Sequence, residues 1–428
     1  MTSTIPARGI IPGMPRPRIA HLLCALAFAC LPPHHLPAQD TVVVRADNPP
    51  VWGPSPRLVE EFRIGGVDDE VASFGHVVGV AVDGGGVIWV ADGRAAEVRR
   101  FGPDGRFLGI VGGKGDGPGE FRGISGIKRL PDGRVVVWDA HGGRFSFFSE
   151  DGAFVGSAAR YVGVIGAPQE VFQVDTAGVL YALWGWPPPS PGPARLLWYK
   201  FQGDGTVLDS LAIPPRGITV LGGRSYPFGP MTPFSTRTLS VLSPHGYLVV
   251  ARNDDYALHR PLPDGRVLKI TRSWEPVRVK RRERAQHRAR AAHVASLWGP
   301  GYGITDDVPS VKPPFWAMRV DEEARLWIAR HTEGTFREET DAERAERRRL
   351  AEFRGSEPPP LEWWEPLVVD VIDADGRFLG TLQFPSDQMV PMVARGRDVW
   401  AVEVGEYGEQ YVVRLRIVGE SGNSDSNH

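Results

Sequence analysis

The sequence contains little cysteine and, in its first 39 residues, no acidic side chain. Only Cys24 and Cys30 occur in 428 residues. Both lie in a 13-residue apolar run, 19–31, which follows three arginines and precedes small residues around Ala38. This order predicts a secretory signal at 1–38, cleaved after Ala38. A membrane anchor is the alternative, although the run is shorter than the roughly 20 residues that a spanning helix needs.

Cleavage after Ala38 would remove both thiols, which excludes disulfides, thiolate metal sites and a cysteine nucleophile. Lipidation of Cys30 is a further alternative, but Leu26 stands one position too far upstream for the usual pattern. The net charge of −2 would become about −5, because three arginines leave with the signal. Nothing in this charge attracts nucleic acid. We expect an exported, periplasmic or extracellular monomer without a membrane span in the mature chain.

Glycine and proline are abundant, at 51 and 39 residues, whereas the hydrophobic fraction is 42%. This balance is typical of many short strands joined by tight turns. A repeat with a period of 47 residues organises them, and it needs no gap over two units. The aligned pairs are Gly65-Gly66 with Gly112-Gly113, Phe74 with Phe121, Gly79 with Gly126, Asp92 with Asp139, and Asp104-Gly105 with Asp151-Gly152. Chance similarity does not hold one register over two full units, so the period reflects a repeated structural unit.

Each unit predicts four antiparallel strands, the content of one propeller blade. Residues 77–82 and 87–91, for example, flank a glycine-rich hairpin turn at 83–86. Six inner hairpin turns are expected near Gly85, Asp132, Ala177, His245, Glu323 and Gly396. Five outer hairpins are expected at the turns Asp104-Gly105, Asp151-Gly152, Asp204-Gly205, Asp264-Gly265 and Asp375-Gly376. One blade therefore lacks its outermost strand.

Residues 58–66 supply the missing strand, since they align with the outer strand 105–113 and are expected to pair with 410–418. Pairing of the two ends would close the ring and remove exposed sheet edges. We predict an all-β fold: a six-bladed β-propeller of four-stranded antiparallel blades over 57–419. An extended segment, 39–56, would precede it, and a disordered tail, 420–428, would follow.

The run Gly112-Gly113-Lys114-Gly115-Asp116-Gly117-Pro118-Gly119-Glu120-Phe121, followed by Gly126 and an Asp-Gly turn, resembles the NHL-repeat class of six-bladed propellers. The resemblance covers 58–157, and only strands and turns persist afterwards. His76 and Ile124 replace the proline that this class usually has before the innermost strand. Gly113 to Gly119 superficially suggests a phosphate cradle, but neither Lys-Ser, Lys-Thr nor a helix follows, which favours a connector between blades.

Two helical insertions are predicted, at about 280–298 and 341–353. The second begins with the capping box Thr340 and Glu343. The first half of the helix at 280–298 is basic. It either contacts an anionic partner or forms a solvated face that covers the rim. A proline-rich insertion, 186–193, predicts a stiff loop, with a proline-motif ligand as the alternative.

Candidate binding residues lie at the channel mouth, where the loops leaving the second strand of each blade converge. They are Asp92, Arg94, Asp139, His141, Asn253, Asp254, His331, Glu333, Glu403 and Glu406. Carboxylates from several blades could hold one Ca²⁺, which prefers six to eight oxygen ligands. The alternative is that Asp92 and Asp139 accept hydrogen bonds from backbone amides of their own turns.

No catalytic motif, zinc-type histidine pair or recognisable nucleophile appears in the mature chain. The leading hypothesis is therefore a binding module that recognises a protein, peptide or glycan through its loop-rich face. A metal-dependent hydrolase, lactonase or lyase is the alternative, because propellers similar to this one include lactonases and peptide-amidating lyases. A ring that only scaffolds an assembly is the third hypothesis.

Overall fold

Six antiparallel blades of four strands each form a β-propeller in the part of the chain that the structure describes, which confirms the predicted fold. The structure is a computed structural model, and it describes residues 40–67, 69, 71–159, 172–186, 195–213, 219–221, 224–226, 233–298 and 307–419. The predicted signal 1–38, most of the proline-rich insertion and the tail 420–428 lie outside these residues.

The strands are numbered in chain order. Two precede the first blade: β1 (Thr41–Arg45) and β2 (Arg57–Gly65). Blade one contains β3 (Val77–Val82), β4 (Ile88–Asp92), β5 (Glu97–Phe101) and β6 (Phe107–Val111). Blade two contains β7 (Ile124–Arg129), β8 (Val135–Asp139), β9 (Arg144–Phe148) and β10 (Phe154–Ala159). Blade three contains β11 (Phe172–Val174), β12 (Leu180–Trp186), β13 (Arg195–Phe201) and β14 (Val207–Ala212).

A two-stranded ribbon of β15 (Thr219–Leu221) and β16 (Arg224–Tyr226) follows. Blade four contains β17 (Thr238–Leu242), β18 (Leu248–Arg252), β19 (Ala257–Pro261) and β20 (Val267–Thr271). A ribbon of β21 (Val277–Arg278) and β22 (Val311–Lys312) leads to blade five, which contains β23 (Phe315–Val320), β24 (Leu326–Arg330), β27 (Val368–Ile372) and β28 (Phe378–Gln383). Between β24 and β27 lies the ribbon β25 (Thr335–Phe336) and β26 (Trp363–Trp364). Blade six contains β29 (Met389–Arg395), β30 (Asp398–Val404) and β31 (Gln410–Val418).

The ring closes as predicted, because β2 supplies the fourth strand of blade six. It pairs antiparallel with β31 from Arg57 opposite Val418 to Gly65 opposite Tyr411. Gly65 has a φ of 126°, and a β-carbon there would lie 2.5 Å from a carbonyl oxygen of β31. The closing strand therefore ends at a position that favours glycine for both conformation and space.

Hydrophobic clusters bridge every neighbouring pair of blades and so hold the ring together. Trp89 of blade one packs with Ile127 and Val137 of blade two, and Ile64 of the closing strand packs with Phe101. The second strands β4 and β8 are buried at every residue. These strands read as continuous apolar runs because both of their faces contact other blades.

The segment before β2, which was predicted as extended, contains a strand that joins a blade. Strand β1 pairs parallel with β20, from Thr41 opposite Val267 to Arg45 opposite Thr271, and adds a fifth strand to blade four. The chain then crosses the outer strand of blade five, where Asn48 exchanges hydrogen bonds with the backbone of Phe378. The N-terminal segment thus links blade four to blade six along the outside of blade five.

Both predicted helices are present, as α1 (Arg281–Trp298) and α2 (Asp341–Arg354). The predicted capping box at the start of α2 is confirmed, because Thr340 and Glu343 exchange side-chain to backbone hydrogen bonds. Helix α1 lies between blades four and five, and α2 lies between the second and third strands of blade five. Gln286 of α1 accepts the N–H groups of Glu362 and Trp363, which ties the two insertions together.

Candidate functional site

The predicted mouth residues lie at the end of the ring where the inner strands begin. Asp92 pairs with Val77, the first residue of β3, and Asp139 pairs with Ile124, the first residue of β7. Both carboxylates are buried and accept backbone N–H groups: four for Asp92 and three for Asp139. These bonds fix the entry to each inner strand. The hydrogen bonds to Asp92 outweigh its burial and lower the pKa of its carboxyl.

Asn253 fixes the entry to the inner strand of blade four in the same way. Its Oδ1 accepts the N–H of Arg237 at 2.5 Å, and its Nδ2 donates to the carbonyl of Phe315 in blade five at 2.8 Å. The neighbouring Asp254 is exposed and forms an ion pair with Arg252. Asn253 is buried, whereas Asp254 presents its carboxylate to solvent.

His141 and Arg94 pack on glycines that precede the inner strands. A β-carbon on Gly123 would lie 2.3 Å from the His141 Nδ1, and one on Gly75 would lie 3.0 Å from the Arg94 side chain. Each of these side chains therefore occupies space that only glycine leaves open. Both residues are otherwise exposed to solvent.

His331 belongs to a largely buried ionic cluster beneath α1, and Glu333 is exposed beside it. The Lys312 ammonium lies 2.6 Å from the carboxylate of Glu283 and 3.2 Å from that of Glu365, and Glu365 accepts from the His331 imidazole at 3.0 Å. Burial raises the pKa of Glu365, but its bonds with His331 and Lys312 outweigh burial and leave it lowered. Glu333 lies at the edge of the cluster, 3.2 Å from Lys280. The cluster anchors α1 to blade five.

The last two predicted residues contact the closing strand and α2. Glu403 forms an ion pair with Arg63 at 3.3 Å, and the carbonyl of Glu406 accepts the N–H of Ala342 in α2. The ten predicted residues are thus spread around the mouth and bound to their own surroundings. Among the described residues, no group of three or more His, Cys, Asp or Glu side chains could hold a metal ion.

A cavity of about 280 Å³ lies at the opposite end of the channel, where the inner strands finish and the inner hairpin turns begin. Every one of the six blades contributes lining residues. Examples are Ala81 of blade one, Lys128 of blade two, Gln173 of blade three, Leu242 of blade four and Arg319 of blade five. Met392 represents blade six. The sequence prediction placed the candidate site at the other end of the same channel.

Three aspartates that start inner hairpin turns share one hydrogen-bond pattern. Asp83, Asp175 and Asp321 each accept the N–H groups two and four residues later. Each also accepts from the aromatic side chain six residues later, which is Trp89, Tyr181 or Trp327. The pattern makes the turns of blades one, three and five rigid. The spacing Asp-x₅-Trp/Tyr was a visible sequence signal that the prediction missed.

The pKa values of these turn residues reflect their burial. Burial raises the pKa of Asp321, and the bonds from Arg325 and Trp327 only partly offset this effect. Burial and the Asp175 carboxylate together raise the pKa of the Tyr181 hydroxyl well above its usual value. Tyr181 therefore acts as a hydrogen-bond donor at neutral pH.

A second cleft, of about 300 Å³, opens between blades two and three and shares Leu130, Pro131 and Thr176 with the central cavity. Phe147 and Leu208 line its outer part, where the Arg134 guanidinium lies 5.3 Å from the Phe147 ring centre. The two spaces have a common wall on the same end of the ring.

Comparisons with known proteins assign the chain to no family. No family model matches the chain, and no curated protein matches it. A Bacteroides fragilis protein, named as exported, is 10% identical over 88% of this chain and 99% of its own, with a TM-score of 0.46. Virginiamycin B lyase from Staphylococcus aureus is 10% identical over 85% of this chain and 99% of its own, with a TM-score of 0.34.

Regucalcin from Agrobacterium tumefaciens, named as a calcium-binding protein, is 11% identical over 85% of this chain and 96% of its own, with a TM-score of 0.36. All three TM-scores lie below 0.5, so they carry no conclusion about what this chain binds. The resemblance to the NHL-repeat class stays a prediction. Within the described ranges, neither helix has the length and apolar character needed to cross a membrane.

Proposed function

We propose that this chain is an exported binding protein that holds its ligand in the central cavity at the inner-hairpin end of the ring. The observation that carries the proposal is the cavity itself, because all six blades line it. Ligand sites are usually concave, preformed and lined by apolar side chains with a few polar groups. The rigid aspartate turns of blades one, three and five support such a preformed site.

The size of the cavity bounds the ligand. A volume of about 280 Å³ is near the lower limit for ligand pockets, so it accepts a small molecule or the end of a larger one. The predicted partners, a protein, peptide or glycan, would insert a terminal group and lay the remainder on the hairpin turns. The cleft between blades two and three offers a path for that remainder.

A library of small metabolites and glycan or peptide fragments, screened by thermal shift, tests the proposal. Gln173 lines the cavity and is suited to a blocking substitution. We expect ligands that stabilise the wild type to stabilise Gln173→Met equally and Gln173→Trp hardly at all, because the indole fills the space. Hits that stabilise all three proteins equally would place binding elsewhere and contradict the proposal.

Export has an independent test. The protein recovered from the periplasm or the medium should begin at Gln39, as N-terminal sequencing would show. A chain that keeps residues 1–38 and stays in the cytoplasm would contradict export. The alternative metal-dependent function at the mouth is tested separately, by the metal content of the purified protein and by alanine at Asp254, His331 and Glu403.

A further inference from the structure

The chain exposes three arginines around the start of α1. Arg278 lies in β21, and Arg281 and Arg282 are the first two residues of α1. All three are exposed, and within the described ranges no hydrogen bond, ion pair or aromatic ring engages their side chains. Basic side chains in the first turn of a helix also oppose the helix dipole. The stability of α1 therefore does not explain Arg281 and Arg282.

The nearby carboxylates leave the charge of these arginines uncompensated. Glu283 is the only acidic residue in the sequence 278–288. It is buried, and it accepts from the Lys312 ammonium at 2.6 Å and from the N–H of Lys280 at 3.0 Å. Glu333 is exposed and pairs with Lys280 at 3.2 Å. Both carboxylates thus have lysine partners, and the three arginines face solvent.

Apolar side chains are exposed beside the same arginines. Val311 lies opposite Arg278 in the ribbon of β21 and β22 and is 38% exposed. Phe336 is 57% exposed, and its ring packs edge-on against that of Trp363, with 6.0 Å between the ring centres. Lys280 joins the two groups, since its Nζ lies 5.9 Å from the Trp363 ring centre. The rim patch, as we call this surface, consists of Arg278, Arg281, Arg282, Val311, Phe336 and Trp363.

The rim patch lies at the mouth end of the ring. Strand β22 leads into Phe315, the first residue of β23, and Arg330, the last residue of β24, leads towards β25. Phe315 and Arg330 pair with each other where the inner strand of blade five begins. The central cavity lies at the opposite end of the channel. A surface bound to the rim patch would therefore leave the cavity open to its own ligand.

A bilayer with anionic phospholipid fits both halves of the rim patch. Basic side chains near such a bilayer are attracted to its negative surface, and arginine can bind a phosphate through two parallel hydrogen bonds. Aromatic and aliphatic side chains next to basic ones enter the headgroup region in interfacial protein segments. A hydrated acidic polymer would pair with the arginines but would leave Phe336 and Val311 in water.

We propose that the rim patch attaches this chain to a bilayer surface that contains anionic phospholipid. The three arginines contact lipid phosphates, and Phe336 and Val311 enter the headgroup region. The ring then has its mouth towards the bilayer and its central cavity away from it. This attachment does not depend on the ligand of the cavity.

Co-sedimentation of the chain beginning at Gln39 with lipid vesicles tests the attachment. One set of vesicles contains equal amounts of phosphatidylcholine and phosphatidylglycerol, and the other contains phosphatidylcholine alone. We expect tighter binding to the first set. That binding should weaken as salt is added, because salt screens the attraction between exposed charges.

Two changes separate the charged half of the rim patch from the apolar half. Each basic side chain near an anionic bilayer contributes about fivefold to the affinity, so Arg281→Gln combined with Arg282→Gln should weaken binding about 25-fold. Phe336→Ser should weaken it roughly fivefold, because the exposed ring no longer enters the headgroup region. The control combines Arg106→Gln with Arg377→Gln, which removes two exposed arginines from outer hairpin turns at the opposite end of the ring. It should leave the affinity unchanged.

Melting curves show whether each variant folds, and Arg278→Gln, with an expected loss of about fivefold, decides the matter if the double variant does not fold. Four outcomes would overturn the proposal. They are no binding to either set of vesicles, equal binding to both sets, affinity that the arginine changes leave unaltered, and an equal loss for the control variant. Binding that Phe336→Ser leaves unchanged, together with equally tight binding of polyglutamate, would assign the rim patch to an acidic polymer and would overturn the proposal as well.

Discussion

Replacement of His287 by phenylalanine should remove much of the acid sensitivity of the protein. His287 lies on α1, with its ring 4.8 Å from that of Phe234, which also contacts His331 at 5.2 Å. Burial is the main cause and the charge of Lys312 the second cause that lower the pKa of His287 to about 4. Glu365 acts in the opposite direction, whereas Arg290 and His331 add to the lowering.

The direction in which pH changes the stability follows from the ordinary and the folded-state pKa values of His287. Between the ordinary value of 6.5 and about 4, the unfolded chain binds a proton at His287 that the folded chain does not bind. The free energy of unfolding therefore rises with pH across this window and is not reduced by His287 above it. One pKa unit corresponds to about 1.4 kcal/mol, so the loss near pH 4 amounts to about 3 kcal/mol.

Urea unfolding of the wild type and of His287→Phe, at neutral pH and near pH 4, measures this loss. Phenylalanine keeps the aromatic contact with Phe234 and cannot be protonated. The lowered pKa of Glu365 also costs stability in acid, since its contribution is lost as pH falls below the ordinary value of 4.5. That loss is common to both proteins and cancels in the difference. Identical pH dependence in the two proteins would refute the argument.

Three further changes test the ring. Asp370→Ala leaves the Tyr256 hydroxyl and the Arg272 guanidinium without their buried acceptor. We therefore expect this change to lower the free energy of unfolding by about 3–5 kcal/mol, whereas Tyr256→Phe should lower it by about 1 kcal/mol. Equal effects of the two changes in urea unfolding would contradict this expectation. Deletion of 39–66 removes the closing strand and should abolish the cooperative melting transition. Deletion of 39–47 removes only β1 and should lower the melting temperature while keeping the transition; a wild-type melting curve for the longer deletion would contradict the role of β2.

The architecture was predictable because its signals are local or repeated. The ungapped repeat over two units gave the strand order of a blade, and the Asp-Gly turns gave the later blades despite their divergence. The closing strand was predictable because residues 58–66 match 105–113 in sequence. Helix α2 carried a capping box at Thr340 and Glu343, which is a local signal as well.

Local and repeated signals in the sequence predict neither strand β1 nor the ionic cluster beneath α1. Strand β1 pairs in parallel with β20, which is more than two hundred residues away in the sequence. No turn between the two strands indicates such a pairing. Glu283, Lys312 and Glu365 meet only because α1 docks on blade five. Each appears in the sequence as an ordinary charged residue.

The position of the cavity depends on side chains that only the closed ring brings together. A repeat shows that the inner strands surround a channel, but it does not show which end is open. The loops at the mouth carry more charged residues that are visible in the sequence, so the sequence favoured the mouth as the candidate site. The hairpin end instead holds the cavity, with Lys128, Gln173 and Arg319 around it.

A crystal structure of the chain beginning at Gln39, bound to the compound that stabilises it most, tests the central claim most directly. We predict density for the compound in the central cavity, beside Gln173 at the inner-hairpin end of the channel. Density at the opposite mouth, among residues such as Asp254 and Glu403, would contradict the account.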